Sequence, residues 1–193
     1  MTTPTLPSAA DWDRQHAAVR SRPLRDHETL RFYQHVQPSS GMVAADIGCG
    51  SGQWTRQLAR WGVRVVGYDF SSVALEKARA DRQMPGISYV EWDANAGTAP
   101  PELGPGSLDL VTCRMSLAYI DTGHLLPLIG QWLTTRGVLY IDTPVEYPNR
   151  PHPLFHRGLT DEEIRDLASG WAYARTIRVG RCDRAIVLRG YGA

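Results

Sequence analysis

Residues 44–54 read Ala-Ala-Asp-Ile-Gly-Cys-Gly-Ser-Gly-Gln-Trp. Gly48, Gly50 and Gly52 alternate, and Asp46 stands two residues before the first of them. Alternate glycines remove every Cβ from one side of a turn, so a ligand can lie against the backbone. A carboxylate beside them repels phosphate and suits a cation, such as a ligand ammonium group. A dinucleotide fingerprint, G-x-G-x-x-G, would need glycine where Gln53 stands. Asp69 closes the run VRVVGYD, 23 residues after Asp46, where a carboxylate can accept both hydroxyls of a ribose. Asp93, in WDAN, can accept from an adenine amino group, with Ala94 and Asn95 following. An amino-acid end, a ribose and an adenine together describe S-adenosylmethionine.

Each of these residues also has a plainer use. Glycines after a strand make tight turns. Asp69 before Ser71 can simply open a helix, and Asp93 can cap a turn. Trp54 and Trp61 suit helix packing, although Trp54 is near enough to the loop to wall a ligand. Cys49 reads as a small filler rather than a nucleophile.

The elements that must position these groups alternate in type. MVAADI (42–47), VRVVGYDF (63–70), ISYVEWD (87–93), SLDLVTC (107–113) and GVLYIDT (137–143) read as strands. QWTRQLARWG (53–62), SSVALEKARA (71–80), HLLPLIGQWLT (124–134) and TDEEIRDLAS (160–169) read as helices, with Pro127 placed near the first turn of the third. WAYARTIRVG and DRAIVLRG close the chain as a hairpin. Residues 1–10 are read as a disordered tail, and 11–36 as a helical cap broken near Pro23. The expectation is one α/β domain over 11–193, a Rossmann-like doubly wound sheet with helices on both faces. In such a sheet a ligand sits beyond the carboxyl ends of the strands, where the glycine turn falls.

A substrate would then enter between the N-terminal helices and the loops after strands four and five. Trp12, His16 and Arg20 are the candidates from the first. Arg114, Ser116 and Tyr119 follow strand four; Glu146, Tyr147, His152 and His156 follow strand five. Tyr119, His152 and His156 are the candidates for positioning an acceptor or taking its proton. Prolines at 151 and 153 argue against a helix carrying both histidines, so no metal site is expected.

Composition narrows the partners. The net charge of +1 over 193 residues offers no basic field for nucleic acid. Three scattered cysteines form no CxxC pair. No apolar run approaches a membrane span, and the N-terminus has no signal-peptide pattern. The reading is a cytoplasmic protein, monomer or homodimer, without membrane or nucleic-acid partners.

DIGCGSG, GYDFS, WDAN and LDLVTCRMSLAYI, in that order and spacing, resemble the cofactor motifs of class I SAM-dependent methyltransferases. The resemblance spans about residues 40–143 and is nearest the small, single-domain enzymes that act on small molecules. It implies a seven-stranded sheet of order 3-2-1-4-5-7-6 with strand 7 antiparallel. It implies that Asp46, Gly48, Gly50 and Gly52 line the methionine moiety and that Asp69 holds the ribose. Phe70 would pack on the adenine, Asp93 and Ala94 reach its edge, and Arg114 lie beside the sulfonium. CRMS stands where amino-methylating DNA enzymes carry N/D/S-P-P-Y/F, and no Pro-Cys pair of the cytosine enzymes occurs. The expected activity is O-, N- or S-methylation of a small molecule. The alternative is a SAM-binding protein that has lost methyl transfer and serves rearrangement or regulation.

Overall fold

The computed structural model describes residues 6–19, 23–81, 84–147 and 153–192. Its strands are β1 (Val43–Ile47), β2 (Arg64–Asp69), β3 (Ile87–Glu91), β4 (Leu108–Arg114), β5 (Leu133–Pro144), β6 (Trp171–Arg178) and β7 (Asp183–Tyr191). All seven lie in one sheet of order β3-β2-β1-β4-β5-β7-β6. The first five run parallel, while β7 pairs antiparallel with both β5 and β6. The terminal hairpin thus inserts its second strand next to β5 and leaves β6 at the edge.

The central strands read as unbroken apolar runs because both faces of the sheet are covered. Alternation sends Ala44, Leu110, Tyr140 and Val187 to one face and Ala45, Val111, Ile141 and Leu188 to the other. Helices α2 (Asp26–Val36) and α3 (Gln53–Arg60) cover the first face. There Phe32 meets Trp54 edge-on at 5.0 Å, Tyr140 at 4.8 Å, and stacks on Trp61 at 5.3 Å. Helices α5 (Thr122–Trp132) and α6 (Asp161–Asp166) cover the second through Leu125, Ile129, Trp132 and Ile164. Helix α4 (Ser72–Ala80) packs along β2 and β3.

Several boundaries differ from the sequence reading: α6 is shorter than 160–169 and β3 than 87–93. Helix α1 (Ala9–Ala18) opens inside the segment read as a tail. Ser8 and Asp11 form a reciprocal capping box, with Asp11 N donating to Ser8 Oγ at 3.3 Å and Ser8 N to Asp11 Oδ2 at 2.8 Å. Helix α5 starts at Thr122 because Asp121 accepts from the Gly123 and His124 amides, which places Pro127 beyond the first turn. Strand β5 is longer at both ends than 137–143, since its pairing with β4 reaches back to Leu133. Among the described residues no helix is long and apolar enough to cross a membrane.

Candidate active site

The carboxyl ends of β1 to β5 open on a cavity of about 370 Å³. It lies where strand order reverses between β1 and β4, as expected for a doubly wound sheet. From the cofactor candidates it gathers Asp46, Gly48, Gly50, Trp54, Asp69, Phe70, Asp93, Ala94 and Arg114; from the substrate candidates, Trp12, His16, Ser116, Tyr119 and His156. Gly52, Glu146 and Tyr147 stand outside it, and Arg20 and His152 lie outside the described residues.

The three glycines do different work. All have positive φ, at +66°, +53° and +73°. A Cβ on Gly48 would overlap the Ser116 side chain, and one on Gly52 would overlap the Tyr89 phenol. Those two positions are bare because protein packs there; Gly52 is also the N-cap of α3. A Cβ on Gly50 would meet only His16 Cε1, at 3.5 Å. Gly50 alone is bare toward the cavity.

Asp46 sits deeper than a direct ligand contact requires. It is 1 % exposed, and its two oxygens accept from Thr55 Oγ1 at 2.7 Å and Thr112 Oγ1 at 2.8 Å. Burial pushes its carboxyl up to about 6, against the hydroxyl donors that favour the charge. A cation placed over the glycine loop would feel this carboxylate through space rather than by hydrogen bond.

Asp69 joins two motifs. Its Oδ2 accepts from Gly50 N at 2.8 Å and its Oδ1 from Ser71 N at 2.9 Å. Each oxygen keeps a lone pair for a ligand hydroxyl. Burial raises its carboxyl above the usual range, opposed by those two amides and by His16. Burial in turn lowers His16, with Asp69 pulling the other way. Asp93 caps its own turn by accepting from Asn95 N at 2.9 Å, and still lines the cavity.

Arg114 is not a free cation. Its Nη2 donates to Glu28 Oε2 at 2.7 Å, its Nε lies 3.4 Å from Asp142 Oδ2, and its guanidinium covers Trp54 at 5.9 Å. Both carboxylates are buried. The pairing bolts α2 to the sheet and offsets the positive charge beside the site of a sulfonium. Glu28 gave no signal in sequence, being one acid in a polar helix.

On the substrate side several expected roles change. Tyr119 Oη donates to Leu154 O at 2.9 Å and accepts from Arg157 N at 2.8 Å. Burial pushes its phenol up to about 12. It holds the loop after β5 over the cavity and is too weak an acid to serve as a base at neutral pH. Ser116 Oγ donates to Ile47 O at 3.0 Å, locking the β1 and β4 turns together. Glu146 accepts from Gly158 N at 3.2 Å, a loop contact. Trp12 meets Tyr119 and Phe155 edge-on, each at 5.0 Å. Phe155 and Arg157 were missed because they lie in a Pro-rich loop without periodicity. Met115 was missed too; its φ of +58° is rare for a side chain of that size, and its amide donates to Asp142 O at 2.7 Å.

Helix α1 forms the roof. Asp13 Oδ1 accepts from Ser71 Oγ at 2.6 Å and from Val73 N at 3.3 Å, and Lys77 donates to His16 O. Trp12, Gln15, His16 and Val19 thereby face the glycine loop. The helix buries no residue completely, so these contacts are its anchorage.

Comparison with known proteins agrees with this geometry. Residues 44–137 match the family described as "Methyltransferase domain". Nearly half of the chain is thus similar to a methyltransferase domain. A curated relative, "Trans-aconitate 2-methyltransferase" of Yersinia pestis, is 30% identical over 186 residues, covering 92% of this chain and 64% of the relative. "Ubiquinone biosynthesis O-methyltransferase" of Albidiferax ferrireducens is 36% identical over 104 residues, covering 51% of this chain and 40% of the relative. The chain thus spans less than two thirds of the length of either. Among solved structures, "a SAM dependent methyltransferase from Aquifex aeolicus" superposes with a TM-score of 0.75 at 14% identity, covering 91% of this chain and 97% of that one, a likeness of fold.

The cofactor of this methyltransferase family is S-adenosylmethionine, and the site fits it. The bare Gly50, the field of buried Asp46 and the half-used Asp69 carboxylate meet the demands of its amino-acid end, sulfonium and ribose. Phe70, Asp93 and Ala94 line the cavity beyond, toward β3.

Proposed function

We propose that the protein transfers a methyl group from S-adenosylmethionine to an O, N or S atom of a small molecule. The observation that carries this is the roofed cavity. Helix α1 and the loop held by Tyr119 close over the glycine turn, leaving a chamber within the ~300–1,000 Å³ range of small-ligand sites rather than an open groove. When bound, the cofactor supplies a methyl group on a sulfonium, which an acceptor takes by in-line displacement.

This chain's residues then align and exclude water. Trp12, Phe155 and Tyr119 form an aromatic wall, and Asp69 fixes the ribose end through both its oxygens. His156 lines the chamber and is the candidate for taking a proton from a hydroxyl or ammonium acceptor. His152 keeps the same candidacy on its sequence position alone. The near-balanced charge gives no field for a nucleic-acid partner; a cytoplasmic enzyme, monomeric or homodimeric, completes the reading.

The test is release of S-adenosylhomocysteine when the protein and cofactor meet the small-molecule fraction of a cell extract, with tRNA and DNA as separate arms. Release with small molecules supports the reading. Release only with nucleic acid refutes the small-molecule acceptor, and cofactor bound without any release favours the non-transferring alternative.

A further inference from the structure

The ionisable groups around the cavity are sorted by sign. The carboxylates that line it, Asp46, Asp69 and Asp93, all stand at the carboxyl ends of β1, β2 and β3 or just beyond, on the cofactor side. Tyr119, Phe155, His156 and Arg157 line it from the turn after β4 and the loop after β5; Glu146, the acid beside them, accepts from Gly158 N at 3.2 Å and is not among the lining residues. Two arginines line the chamber, and they differ. Arg114 is ion-paired with the buried carboxylates of Glu28 and Asp142. The Arg157 guanidinium has no carboxylate within ion-pair distance and donates no hydrogen bond among the described residues, although the residue is half-buried.

Its backbone, by contrast, is held. Arg157 N donates to Tyr119 Oη, and that hydroxyl also donates to Leu154 O, so the turn Leu154–His156 and the residue after it are fixed against Trp12 and the 3₁₀ turn Leu117–Tyr119. Arg157 is thus a half-buried residue on a braced backbone that lines the chamber and has no ion pair among the described residues, so an anionic ligand could supply its counter-charge.

We propose that Arg157 anchors an anionic group of the methyl acceptor, a carboxylate or phosphate, and so makes a small organic anion the substrate class. The proposal rests on the methyl-transfer reading of the same cavity. The anion docks at the fork of Arg157, the body of the molecule lies against Trp12 and Phe155, and the accepting atom points back toward the glycine turn. Arg157 here is a binding residue for the acceptor; the cofactor contacts are made elsewhere.

The test sorts the metabolites of a cell extract by ion exchange at neutral pH into anionic, neutral and cationic pools. The full chain and S-adenosylmethionine are added to each, and S-adenosylhomocysteine release is followed. The acceptor is expected in the anionic pool. Arg157→Gln should lower kcat/KM for it by about 10- to 150-fold, the loss of a charge-assisted bidentate contact. Arg157→Lys should recover part of that, and the calorimetric affinity for S-adenosylhomocysteine should stay at the wild-type value in both. An acceptor found in the neutral or cationic pool overturns the proposal. So does an Arg157→Gln enzyme with unchanged kcat/KM, or one that has lost S-adenosylhomocysteine affinity. Cofactor bound with no release from any pool defeats the methyl-transfer reading itself, and the anchor with it.

Discussion

Gly50 and its two neighbours separate ligand demands from packing demands. At Gly48 and Gly52 a side chain collides with Ser116 or Tyr89, so substitution there damages the fold first. At Gly50 the protein leaves room, and the added atoms enter the cavity. Gly50→Ala should therefore remain folded, at a cost of about 1–2 kcal/mol for its left-handed backbone, while cofactor affinity collapses. Thermal melts beside calorimetry decide this; a folded Gly50→Ala protein with wild-type affinity would show that the loop does not cradle the ligand. Asp46 gives a pH signature. Its carboxyl titrates near 6 because it is buried, and a cationic ligand favours the ionised form. Affinity for S-adenosylmethionine should thus be full above about pH 6 and fall as pH drops through it. Asp46→Asn, which can still pair with Thr55 and Thr112, should bind weakly and flatten that profile. Calorimetry from pH 5 to pH 8 checks both the slope and its loss.

At the scale of elements, α1 belongs to the cofactor site as much as to the substrate side. Its Asp13 caps the start of α4, directly after Asp69 and Phe70, and its His16 lies over Gly50. Removing residues 1–24 should therefore weaken cofactor binding, and not only turnover. Asp13→Ala, which deletes a helix-capping acceptor, should lower cofactor affinity by about 2- to 30-fold with a small change in melting temperature. An unchanged dissociation constant in Asp13→Ala would free α1 from that role. The parallel strands and the order of the sheet were legible because double burial writes continuous apolar runs, as in VAADI and LDLVTC. The start of α1 was hidden because a Ser8–Asp11 capping box in a Pro/Thr-rich segment looks like tail composition. The Arg114–Glu28 pair was hidden because 86 residues separate its members, and no local spacing records such a contact. Tyr119 was found as a residue but its work was not, since its partners Leu154 and Arg157 contribute backbone atoms that carry no sequence signal.

At the scale of the whole molecule, the sheet brings the carboxyl ends of β1 to β5 to one chamber, and two separately anchored segments, α1 and the loop after β5, roof it. Burial on both faces makes the floor rigid, while the roof depends on few contacts, so opening for exchange of ligands should occur there. Likeness to a methyltransferase domain and this geometry together make methyl transfer to a small molecule the central claim. It is tested most directly by mass analysis of the product. The protein is incubated with S-adenosylmethionine bearing a trideuterated methyl group and the small-molecule fraction of a cell extract. The account predicts a metabolite carrying the intact trideuterated methyl, formed in step with S-adenosylhomocysteine and abolished in Gly50→Val. Label found only in macromolecules, or a product formed while the cofactor stays bound and unconsumed, would contradict it.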